Sequence, residues 1–180
     1  MSMRKEIRFE IESLRPLDDL EAQHISETLR WIDSGAPLFR IEKPATPPMH
    51  LVAYFAVVDA DSILLVDHKN AKLWLPTGGH VEPNEHPRST VERELFEELG
   101  LRLSAPVAAP CMITCTITVG TTAGHTDVSL WYVLQGNRMQ DVVYDTDEFN
   151  SVRWFSFAGV PLDRSDPHMA RFLQKLAIKS

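Results

Sequence analysis

The chain has 180 residues, enough for one well-buried domain plus an extension. Hydrophobic residues make up 44% and charged residues 24%, the balance of an ordinary soluble globular protein. A formal net charge of −7 argues against a general nucleic-acid or anionic-membrane surface, which would be basic. It leaves a nucleotide substrate open, because a divalent cation offsets phosphate charge locally.

The first stretch, MSMRKEIRFEIESL, carries charges throughout and has no apolar signal-peptide core. No run approaches ~18 apolar residues. The expectation is a cytoplasmic protein without membrane contact. Residues 3–34 read as a helical extension. Ile7, Ile11 and Leu14 have helical spacing, whereas Ile7, Phe9 and Ile11 alternate, so a short strand stays open there. After Pro16 a clearer helix places Leu17, Leu20, Thr28, Leu29 and Ile32 along one side, with His24 beside them. Asp18, Asp19 and Glu21 suit its start, and Ser34-Gly35 its end. Pro44, Pro47 and Pro48 mark an extended linker. The boundary falls here: residues 1–44 as extension and linker, residues 45–180 as the main domain.

Residues 51–59 (LVAYFAVVD) form an apolar, β-branched run expected to be a buried strand, and 62–68 (SILLVDH) its returning partner. Leu73-Trp74-Leu75 leads into a turn built on Pro76, Gly78 and Gly79. His86-Pro87 then starts a helix and Gly100 stops it. Val91, Leu95 and Leu99 make its apolar stripe, and Glu94, Glu97 and Glu98 share a face beside it. Like charges at i,i+4 repel by about 0.2–0.5 kcal/mol per pair, and the dipole disfavours anions near a helix C-terminus. Either the face is simply solvated, or a cation sits among the carboxylates. Such hard oxygen donors suit Mg2+ or Mn2+. Arg93 is placed to pair with Glu85.

Residues 101–108 (LRLSAPVA) suggest a short strand with proline breaks. Residues 111–119 and 125–136 suggest a hairpin with its turn at Gly120 to Gly124. Cys111 and Cys115 lie on that hairpin, on one side of a strand, too far apart for an ordinary disulfide. An acidic, mobile-looking stretch follows, then a last strand at 151–157. Ser165-Asp166-Pro167 caps a final helix with Met169, Phe172, Leu173 and Leu176 on its inner side. These elements alone support an α+β or α/β fold.

Gly79, Glu85 and the run Arg93-Glu94-Leu95-Phe96-Glu97-Glu98-Leu99-Gly100-Leu101 resemble the Nudix box of the MutT/Nudix hydrolase superfamily, with every fixed position of the signature filled between residues 79 and 101. The resemblance implies an α/β Nudix fold: an α/β/α sandwich with a mixed sheet, here carrying an N-terminal helical extension. It implies attack by water on a pyrophosphate bond of a nucleoside diphosphate-linked or triphosphate substrate, with Mg2+ or Mn2+ as cofactor. By position, Glu94, Glu97 and Glu98 would be the catalytic metal ligands, joined by the carbonyl of Gly79. Glu85, Arg93 and Gly100 would hold the box together. The base varies within the family, and Asp145, Asp147 and Glu148 are candidates. Gly78, His80, Glu82 and Glu148 are candidate substrate contacts. His125, Thr126, Asp127, Trp131 and Tyr132 are either base-binding or core.

The proline that marks ADP-ribose hydrolases of the family, and the tyrosine of its dinucleoside polyphosphate hydrolases, are absent around Thr116-Ile117-Thr118. That tilts the expectation toward a nucleoside triphosphate or similar small diphosphate. Two other readings stand beside the hydrolase. A nucleotide-sensing, non-catalytic module would carry a degraded box, and this one is complete. An isopentenyl diphosphate isomerase-like enzyme would need a cysteine ahead of the box helix, and none lies between Leu51 and Leu101. The extension lacks a basic recognition helix, so a nucleic-acid polymer is not an expected partner. It packs on the domain, covers the site or builds a homodimer.

Overall fold

A computed structural model describes residues 2–42, 46–118 and 124–179. The linker residues 43–45 and most of the expected hairpin turn therefore lie outside the described residues. Helices α1 (Met3–Glu12) and α2 (Asp19–Asp33) are followed by β1 (Met49–Asp59), β2 (Ser62–His68), β3 (Leu73–Leu75) and β4 (Thr77–His80). Then come α3 (Pro87–Leu99), β5 (Met112–Ile117), β6 (Thr126–Gln135), β7 (Phe149–Ser156) and α4 (Met169–Lys179).

The strands form one mixed sheet in the order β3-β2-β1-β6-β5, with β4 also paired to β1 and β7 to β2. β1 and β6 run parallel, and the other pairs are antiparallel. Alternation along the strands divides the core. Leu51, Ala53, Phe55 and Val57 of β1 face the layer of α1, α2 and α3. Ala56, Ile63, Leu65 and Trp131 face α4 through Met169 and Phe172. A sheet buried on both faces explains why residues 51–59 read as a continuous apolar run. The result is an α/β/α sandwich with a mixed sheet.

Four sequence-based expectations change. The segment after Pro76 is not only a turn: Thr77–His80 is strand β4, paired along Val52–Phe55. Residues 101–110 form no strand. Pro106 and Pro110 interrupt them, and Leu101 and Val107 instead act as buried anchors. Cys111 lies ahead of β5 in the α4 layer, while Cys115 packs toward α2, and neither joins a disulfide. The acidic stretch is tied down: Asp145 N donates to Glu98 O at 2.9 Å and Lys69 N to Glu148 O at 3.0 Å.

The N-terminal region is helical and embedded in the core. Ile7 and Ile11, one turn apart, are fully buried, whereas Phe9 is 62% exposed, which excludes the strand alternative. In α2 the buried positions are Glu21, His24, Thr28 and Ile32, and Leu20 stays exposed. Glu21 is drawn in because it closes a network. It pairs with Lys175 of α4, and it accepts from Leu17 N at 2.7 Å and from Ile113 N, on the sheet-edge strand β5, at 3.3 Å. The edge of the sheet is thus covered by a helix. Arg171 of α4 reaches Asp18 at 2.6 Å and holds its carboxyl down at about 2. Among the described residues no helix is long and apolar enough to cross a membrane.

Candidate active site

The site sits where β4 turns into α3. His86 caps α3 through Nδ1, which accepts from Arg88 N at 3.2 Å, with Pro87 at the first helical position. Gly100 ends the helix at φ +64°, the left-handed cap that glycine adopts without strain. Val91, Leu95 and Leu99 are buried, which aims the neighbouring glutamates toward β4.

β4 leaves no room for side chains there. A Cβ on Gly78 would stand 2.3 Å from the Ala53 carbonyl, and one on Gly79 would stand 1.8 Å from Glu94 Oε1. The two glycines let the Glu94 and Glu98 carboxylates lie against bare backbone. Gly78 N donates to Glu98 Oε2 at 3.1 Å. A cavity of about 570 Å³ opens over this arrangement, lined by Gly78, Gly79, Glu94, Glu98 and Glu148.

The electrostatics are adverse. Glu98 is only 8% exposed. Burial, then the neighbouring Glu94 and Glu148, push its carboxyl up to about 9. Burial also raises Glu94, against the pull of Arg93. Arg93 holds the box together: it grips both oxygens of Glu85 at 3.0 Å, Glu94 at 2.7 Å and Glu97 at 3.2 Å. Burial pushes Glu85 up, but Arg93 and the Thr90 hydroxyl more than offset it, leaving that carboxyl below its ordinary range.

The structure brings Gly78, Gly79, His80, Glu82, Glu94, Glu98 and Glu148 to one cavity wall. It does not bring Glu97 there: that side chain is 56% exposed, paired with Arg93 at 3.2 Å, and absent from the cavity lining. Asp145 and Asp147 are also off the wall, turned into a local loop contact in which Asp147 N donates to Asp145 Oδ1 at 2.7 Å. Trp131 and Tyr132 are fully buried core. Arg40 and His68 line the cavity without any signal in the sequence. Arg40 belongs to the stretch before β1, placed by the Leu51 N to Leu38 O bond at 2.8 Å, and burial lowers its guanidinium from the ordinary range.

The donor set fits a hard divalent cation. It offers carboxylate oxygens and a backbone carbonyl, and it gathers carboxylates whose burial favours a cation among them.

The family model for the NUDIX domain matches residues 49–176, and the chain belongs to that family. No curated protein matches it. Among solved structures, a MutT NUDIX hydrolase from Burkholderia pseudomallei aligns with a TM-score of 0.61 at 23% identity, over 71% of this chain and 97% of that one. The E. coli dihydroneopterin triphosphate pyrophosphohydrolase aligns at 0.58 and 13% identity, over 80% and 100% of the two chains. The NUDIX domain of Shewanella oneidensis NrtR, solved with ADP ribose, aligns at 0.56 and 17% identity, over 72% and 86%. At these identities the likeness establishes the fold.

Proposed function

We propose that this chain is a divalent-metal-dependent hydrolase that cleaves a pyrophosphate bond in a nucleoside triphosphate or a nucleoside diphosphate-linked substrate. The observation that carries the reading is the convergence of Glu94, Glu98 and Glu148 on one cavity, beside the side-chain-free backbone of Gly78 and Gly79. Glu94 and Glu98, with the Gly79 carbonyl, would hold Mg2+ or Mn2+. Glu97 is assigned an outer place, reached only if Arg93 releases it. When bound, such an ion lowers the pKa of water and spreads phosphate charge.

The chain's own groups supply the rest. Glu85 and Arg93 fix the loop to the helix. Glu148 lines the same cavity as these carboxylates and is assigned as the base for the attacking water. Arg40 lines the cavity as a cation available to a substrate phosphate, and His80 and Glu82 line it too. Two structural neighbours, one a dihydroneopterin triphosphate pyrophosphohydrolase and one solved with ADP ribose, support this ligand class. Action on such soluble metabolites favours a cytoplasmic setting. A homodimer formed through α1 and α2 is compatible with it.

The test is a panel of nucleoside di- and triphosphates, ADP-ribose and dinucleotides incubated with Mg2+ or Mn2+, with products separated by chromatography. The expected result is splitting of a phosphoanhydride bond that stops on chelation and in Glu98→Gln. Saturable nucleotide binding without turnover of any panel member would replace the hydrolase by the sensor reading.

A further inference from the structure

We propose that His50, His80, His125 and Asp127 form a second metal centre, separate from the carboxylate site and built for a borderline divalent ion such as Zn2+. The three imidazoles and the carboxylate offer ligand atoms that all lie within 4.8 Å of one another. They come from three adjacent strands. His50 and Asp127 are direct partners across the parallel β1–β6 pair, and His80 ends β4 on the other side of β1. His125 immediately precedes β6.

The hydrogen bonds around the rings fix where their lone pairs point. His50 Nδ1 stands 2.8 Å from the Pro47 carbonyl oxygen. A carbonyl only accepts, so Nδ1 carries a proton, and in the neutral ring Nε2 carries the lone pair. The Thr118 hydroxyl donates to the His125 carbonyl at 3.1 Å, so its oxygen accepts from His125 Nδ1 at 3.0 Å. That ring also presents a bare Nε2. His80 Nε2 lies 3.2 Å from Arg40 Nη1, a group that only donates, so it too carries a lone pair.

All three Nε2 atoms face one atom, Asp127 Oδ1, at 3.2 Å from His50, 3.3 Å from His125 and 3.6 Å from His80. His50 is fully buried, and neither its Nε2 nor Asp127 Oδ1 completes a hydrogen bond. With the rings neutral, lone pairs gathered around a buried carboxylate oxygen repel, and a cation among them relieves that repulsion, which Arg40 does only at His80. Ligand atoms ~2.05 Å from a tetrahedral Zn2+ stand ~3.3 Å from one another, so the separations from Asp127 match such a centre.

Three nitrogens and one carboxylate are the wrong donors for Mg2+ and the right ones for Zn2+ or Co2+. The Pro47 carbonyl and the Thr118 hydroxyl supply the outer contacts that orient metal-bound imidazoles. Loading requires Arg40 to release His80. Arg40 already lines the substrate cavity, so occupancy of the histidine centre would deliver a free guanidinium to the phosphate site.

The test is titration of chelator-stripped full-length protein with Co2+ in excess Mg2+, followed by Zn2+ competition. One equivalent of Co2+ with the visible absorption of a tetrahedral nitrogen/oxygen site, displaced stoichiometrically by Zn2+, is the expected result. Glu98→Gln should bind it unchanged, which separates this centre from the carboxylate site. His80→Ala and Asp127→Asn should each weaken binding by tenfold or more. His80 is partly exposed, so its variant keeps the test valid should Asp127→Asn fail to fold. Three outcomes would overturn the proposal: no tetrahedral Co2+ spectrum in the folded wild-type protein, binding that is lost in Glu98→Gln but kept in His80→Ala, or imidazole NMR placing protons on Nε2 of His50 and His125 in the metal-loaded sample.

Discussion

Replacing Glu98 by Gln should raise the melting temperature of the metal-free protein while abolishing its hydrolysis. Folding pushes the Glu98 carboxyl from its ordinary value of 4.5 up to about 9. The folded chain therefore holds this proton more tightly than the unfolded chain. The stability from that proton is fully present below the unfolded pKa and is lost as pH rises toward the folded one. At pH 7.5, about three units above the unfolded value, the loss reaches up to ~4 kcal/mol at 1.36 kcal/mol per unit. Side-chain adjustment and water entry should reduce what is realised to ~2 kcal/mol. Gln is a neutral isostere that escapes the penalty, and ~2 kcal/mol corresponds to ~4–8 °C for a chain of this size. Thermal melts in chelator at pH 7.5 and pH 5 measure it, with a gap that narrows strongly at the lower pH. Adding Mg2+ should stabilise the wild-type protein and not the variant. A variant that melts at or below the wild-type protein at pH 7.5 in chelator, or a gap independent of pH, would refute the reasoning.

Gly79→Ala drives a methyl group into Glu94 Oε1, and the flexible carboxylate can yield. The expected outcome is a nearly unchanged melting temperature with metal-dependent activity down tenfold or more. Glu85→Ala removes both Arg93 bonds and the Thr90 bond, so thermal melts should show a loss of about 1–3 kcal/mol. Lys175→Met leaves Glu21 buried and without its cation and should cost about 3–5 kcal/mol in denaturant melts, with Glu21→Gln in the same chain recovering part of it. Glu148→Gln should lower kcat by about 100-fold or more with little change in KM if Glu148 is the base, as steady-state kinetics will show.

Much of this architecture was legible because it is written in local periodicity. Val91, Leu95 and Leu99 fix the buried side of α3, and Pro87 and Gly100 its ends. The apolar runs of β1 and β2 announce a sheet covered on both faces. What stayed hidden depends on partners remote in sequence. Two adjacent glycines have poor strand propensity, so β4 exists only through its pairing with β1. Leu20 and Glu21 exchange roles because Lys175, 154 positions away, compensates the buried carboxylate. Glu97 stays 56% exposed while Glu94 and Glu98 line the cavity, a difference that helical spacing alone does not express. Arg40 and His50 carried no signal, since only the packing before β1 and the parallel β1–β6 register bring them to the centre of the molecule.

The central claim is that the box carboxylates grip a cation against linked phosphates. Anomalous diffraction from crystals grown with Mn2+ and a non-hydrolysable nucleoside triphosphate analogue tests it most directly. The account requires Mn2+ bound to Glu94 and Glu98 at about 2.1–2.2 Å and touching phosphate oxygens. Ordered analogue with no anomalous signal at those carboxylates would contradict it.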